Sequence, residues 1–158
     1  MKKDEIIEKL QKAKYADLEW LDRAKSLIEG SKNDIGTFPI EAVDSDFGEW
    51  FYNEGSKLKR LSNNPVESMQ NLELLHQQIH KSYLDIYHIY FNHENRAGFF
   101  SSLMGAKRKE LSAEELKNAK VLLQGMQLHA EEFLFEIERL ERRLEAVGEE
   151  KIDFIMNM

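Results

Sequence analysis

The sequence predicts an all-α protein, an antiparallel four-helix bundle, on three observations. Apolar residues recur at alternating steps of three and four along most of the chain. Only two prolines, Pro39 and Pro65, interrupt 158 residues. Runs of β-branched residues are nearly absent, which favours helix throughout. The length suits one domain with a core large enough to fold without staples, and 32% charged residues is what long helices with one wet face require.

The first helix is expected over Lys3–Glu29. Its stripe reads Ile6, Leu10, Ala13, Asp17, Trp20, Ala24, Leu27, and Gly30 supplies the stop. Ser31 to Val43, with Gly36 and Pro39, reads as a loop. A second helix is expected from Asp44–Asp46, with Phe47, Trp50, Phe51 and Leu58 inward, running on until Asn63, Asn64 and Pro65 close it. The third opens near Pro65 and carries Leu72, His76, Ile79, Tyr83, Ile86 and Tyr90, ending around Asn92–Gly98. A connection bearing Phe99, Phe100, Leu103 and Met104 follows. Ser112 and Glu115 form the capping box of a fourth helix, whose stripe is Leu123, Met126, Ala130, Phe133, Ile137, Leu140, Leu144 and Val147. That reading gives one domain over 1–148 and a loosely held tail over 149–158.

Charge and composition narrow the function. The net charge is −7 with acids and bases interspersed, which argues against nucleic acid or an anionic membrane as partner. No apolar run approaches a bilayer span and no signal-peptide core follows the start, so a cytoplasmic protein is expected. The chain has no cysteine, and thiolate chemistry of any kind is excluded.

Two residues break their own stripes. Asp17 and His76 occupy seam positions flanked by apolar neighbours, and a carboxylate there needs a partner because burying it alone costs several kcal/mol. His80 lies one turn beyond His76, so both imidazoles project from one side of the third helix. Two imidazoles and a facing carboxylate can form a first shell for zinc. The same residues also suit a hydrogen-bonded Asp17–His76 pair with His80 flanking it, and the pattern alone favours that pair. His129, beside the stripe of the fourth helix, is a further candidate ligand. His88 and His93 fall near the end of the third helix and read as surface residues.

Ser45-Asp-Phe-Gly-Glu-Trp50, followed by Phe51, Tyr52 and Gly55 and then by His76-x-x-x-His80, resembles the chemoreceptor zinc-binding domain. The family is a four-helix bundle of bacterial chemoreceptors and diguanylate cyclases, and Trp20 also matches its first helix. The similarity spans about residues 10 to 90. It implies zinc as cofactor and carries the family's four ligands onto Asp17, Ser45, His76 and His80. The departures fall on the chemistry, since the family's first His is Asp17 and its Cys is Ser45. Asp17 can ligate in place of His. Ser45 is a poor ligand and a good N-cap, as are Asp44 and Asp46, and Asp46 could ligate only with a shifted helix start. Trp20, Phe47, Gly48 and Trp50 are expected to support the site from the core.

The expected function is that of a stand-alone sensory module, binding a divalent metal through Asp17, His76 and His80. It would be a homodimer and signal through a protein partner. The alternative is a metal-free structural or interaction bundle with a buried Asp–His pair. No enzyme is expected, because no general base, oxyanion donor or substrate-positioning Arg cluster falls near the site.

Overall fold

The computed structural model describes residues 2–30, 45–63, 65–91 and 110–158. The expected loop 31–43, Asp44, Asn64, His93, the end of the third helix and the Phe99–Met104 connection lie outside these residues. What is described is all-α, with no strand. The elements are α1 (Lys3–Glu29), α2 (Asp46–Asn53), a 3-10 segment (Gly55–Arg60), α3 (Val66–Tyr90), α4 (Ala113–Glu145) and α5 (Glu149–Met156).

Helix α1 buries Ile6, Leu10, Ala13, Asp17, Trp20, Ala24 and Leu27, the whole expected stripe. Glu5 accepts from the Lys2 N–H at 2.9 Å at its start. It ends where Gly30, at φ 79°, adopts the left-handed conformation that other residues resist and donates to Ser26 O. Helix α4 opens on the reciprocal pair the sequence announces: Ser112 Oγ accepts from Glu115 N at 3.1 Å, and Glu115 Oε1 accepts from Ser112 N. Its core face is Ala119, Met126, Ala130, Phe133, Glu136, Ile137, Leu140 and Leu144. Leu123, expected inside, is half-buried.

Two expectations are corrected. The second helix does not run on to residue 63. It stops at Asn53 and the chain tightens into 3-10 turns over Gly55–Arg60. The cause is packing, because the Gly55 backbone lies against the Trp50 indole, where a Cβ would sit 3.2 Å from the ring. The C-terminus is not a loose tail. Over Glu149–Met156 it forms a helix that buries Ile152, Ile155 and Met156, and Lys57 Nζ ties Met156 O at 2.7 Å.

Helices α1, α3 and α4 pack on one another, with α2 on α1 and α5 against the 3-10 segment and α1. Their ends are laced by polar contacts. Lys3 Nζ donates to Glu145 O at 3.0 Å, and Gln11 bonds Glu141, so the start of α1 meets the end of α4. Asn63 Nδ2 reaches Arg143 O at 2.9 Å, which sets the entry of α3 beside the same end. The polar seam residues of α1 and α3 lie midway along their helices, within this packing.

Candidate functional site

Asp17 and His76 face each other because each replaces an apolar residue on an inward stripe. Both are 1% exposed. His76 Nδ1 lies 2.7 Å from Asp17 Oδ1 and 3.0 Å from Oδ2, so one N–H is shared by both carboxylate oxygens. The carboxylate sets the tautomer, since it can only accept. The other ring nitrogen, Nε2, then accepts, and Ser45 Oγ stands 3.4 Å from it. Ser45 is also the N-cap of α2, where its Oγ accepts from Gly48 N–H at 3.0 Å. A chain of donors results, running from Gly48 N–H to Ser45, to His76, to Asp17.

The aromatic shell fixes the ring planes. Phe47 packs on the His76 imidazole at 4.6 Å between centroids and stacks on Phe51 at 5.3 Å. Trp20, 2% exposed, meets the His80 ring edge-on at 4.7 Å. Gly48 and Trp50 are buried with them. Of the residues expected to support the site, Phe47, Trp20 and Gly48 touch His76, His80 and Ser45 respectively, while Trp50 packs one residue further out, on Phe47 and Phe51.

The electrostatics follow from burial. Removal from water pushes the Asp17 carboxyl above its ordinary 3.8, against the pull of the His76 hydrogen bond and charge. His80 is pushed down to about 4, first by burial and then by neighbouring His76. At neutral pH it is an uncharged imidazole. Its Nδ1 is buried with no hydrogen-bond partner among the described residues.

Zinc of the kind the resemblance implies needs its donors aimed at one point. Here Asp17 and Ser45 sit against opposite nitrogens of the same imidazole. Both carboxylate oxygens are engaged by Nδ1, and the serine hydroxyl is engaged by the helix cap. Among the described residues no three His, Asp or Glu side chains are gathered as a metal ion requires. Asp46 is exposed at the first position of α2, where its charge favours the helix N-terminus instead. His129 lines a surface groove with Asn71, Gln78 and Glu136. The donor arrangement does not fit the family's metal.

One buried carboxylate gave no sequence signal. Glu136 on α4 is 7% exposed, and its Oε1 accepts from Arg139 Nη1 at 2.9 Å and from Asn71 Nδ2 at 3.3 Å. The Arg139 partner three residues on was visible, but Glu136 lies beside the stripe rather than in it.

The chain matches no family model, no curated protein and no solved structure. Among the described residues no helix is long and apolar enough to cross a membrane.

Proposed function

We propose that the chain is a non-catalytic sensory or signalling module of the chemoreceptor zinc-binding kind, folded as an antiparallel four-helix bundle, in which a hydrogen-bonded chain replaces the metal. The observation that carries this reading is the double engagement of His76, with Asp17 on Nδ1 and Ser45 on Nε2. These are the positions where the resemblance carries zinc ligands. Asp17 and Ser45 are the two that depart from the family's residues, and both now hydrogen-bond the histidine between them. The meeting of the α1 start with the α4 end supports the antiparallel arrangement. Such a module acts through a protein partner.

The order Asp17–His76–Ser45 is also that of a hydrolytic triad. Ser45 is 3% exposed and its hydroxyl caps α2, so it offers no accessible oxygen to a substrate. This supports the non-catalytic reading.

Reinstating the family's ligands tests the derivation. Asp17→His combined with Ser45→Cys is expected to co-purify with one equivalent of zinc and to lose thermal stability on chelation. The double change removes the hydrogen bonds that hold positions 17 and 45 on opposite nitrogens of His76 and leaves a thiolate and three imidazoles to gather on the metal. If that variant folds, by circular dichroism, yet binds no zinc at micromolar concentration, the kinship with the family is wrong.

A second reading has its own observation. The unpaired Nδ1 of neutral His80 is a ligand-ready nitrogen beside His76. On that reading His76 and His80 would hold a divalent metal, with Asp17 orienting His76 from behind as carboxylates do for metal-bound imidazoles.

A further inference from the structure

Helix α4 is apolar on two sides. Opposite its core face, Val121, Leu128 and Phe135 are 58%, 61% and 56% exposed. They stand seven residues apart, which keeps them on one face with only a slow drift. Gly125 lies on this side too, and a Cβ there would meet nothing within 4 Å. A glycine inside a helix lowers its stability relative to alanine, and no packing among the described residues accounts for this one. Close approach of another helix does. Leu74 of α3, 54% exposed, lines one groove with Phe135 and widens the apolar strip.

The strip is symmetric about Leu128, with Val121 and Phe135 at equal distances on either side. The charges along it complement those of a reversed copy. With Leu128 against the partner's Leu128 and the helices antiparallel, Val121 faces the partner's Phe135. Exposed Lys120 then lies beside the partner's Glu138, and Glu114 beside the partner's Arg142. A parallel pairing in register would instead set Glu114 and Arg142, which continue the seven-residue spacing of the strip, each against its own copy. We infer that the chain forms a two-fold dimer through the outer face of α4, packed antiparallel with Leu128 on the axis. This is independent of whether the core cluster holds metal.

The test uses the full chain and exploits its lack of cysteine. Sedimentation equilibrium is expected to show a dimer at micromolar to sub-millimolar concentration. Leu128→Glu should weaken association by about thirty-fold or more, the scale of losing a central anchor, with helicity unchanged because the residue touches no core. Under mild oxidation Leu128→Cys should cross-link to itself. Val121→Cys should cross-link only when mixed with Phe135→Cys chains. A monomeric wild-type protein overturns the inference. Self-cross-linking of Val121→Cys as efficient as that of Leu128→Cys overturns the antiparallel arrangement.

Discussion

Asp17→Leu is expected to destabilise the protein by about 3–5 kcal/mol, while Asp17→Leu with His76→Leu is neutral or stabilising. The single change takes both carboxylate oxygens away from His76 Nδ1, a ring nitrogen of a residue only 1% exposed. The double change removes the demand along with the supply. It puts two apolar side chains in line with Leu10, Leu72 and Ile79, buried residues of the same stripes. In melting experiments on a chain of this size the single variant should lose on the order of 10 °C. The double variant should recover that loss. A double variant as unstable as the single one would mean that His76 and Asp17 are not each other's partners. The double variant also separates fold from function, since a stable protein that no longer signals would place the pair in the signalling step.

Acid is expected to destabilise the protein through His80. Its folded value of about 4 lies below its ordinary 6.5. The folded state therefore binds the proton less readily than the unfolded chain, and the stability concerned is fully present above pH 6.5. It is lost as pH falls through 4. The separation corresponds to about 3 kcal/mol, most of it gone by roughly pH 4.5. Asp17 acts with the opposite sign. Its raised value means that the folded state takes up a proton more readily, and this part of the stability grows as pH falls. Comparison with His80→Phe isolates the histidine contribution, because Phe keeps the ring against Trp20 and cannot titrate. The melting temperature of the wild type should fall by roughly 10 °C more than that of His80→Phe between pH 7 and 4.5. Equal slopes would show that His80 is solvated or paired.

Much of this was legible in the sequence, for identifiable reasons. The seam positions of Asp17 and His76 follow from helical periodicity, which survives when a polar residue replaces an apolar one. The seven α1 residues expected to be buried are the seven that are. Periodicity places side chains on a face but does not say which atoms meet. It could not show that Asp17 would engage His76 with both oxygens, or that Ser45 would close on the opposite nitrogen while capping α2. His80 was expected as a metal ligand or, in the alternative, as a flank to the pair, and its burial against Trp20 depends on a ring orientation that spacing does not encode. The break at Asn53 comes from a long-side-chain contact, Trp50 on the Gly55 backbone, within a run that otherwise reads as helix. Helix α5 was missed for a different reason. Ile152, Ile155 and Met156 carry helical spacing, but eight residues hold too little periodicity to stand apart from a frayed end, and its stability comes from docking.

The central claim is that hydrogen bonds rather than a metal satisfy the cluster of Asp17, Ser45 and His76. Elemental analysis of protein purified without a histidine tag, joined to melting curves with chelator and with added zinc, tests it most directly. The account predicts metal well below one equivalent and a melting temperature unmoved by either addition. One equivalent of bound metal, with a melting temperature that drops on chelation and returns with zinc, would contradict it.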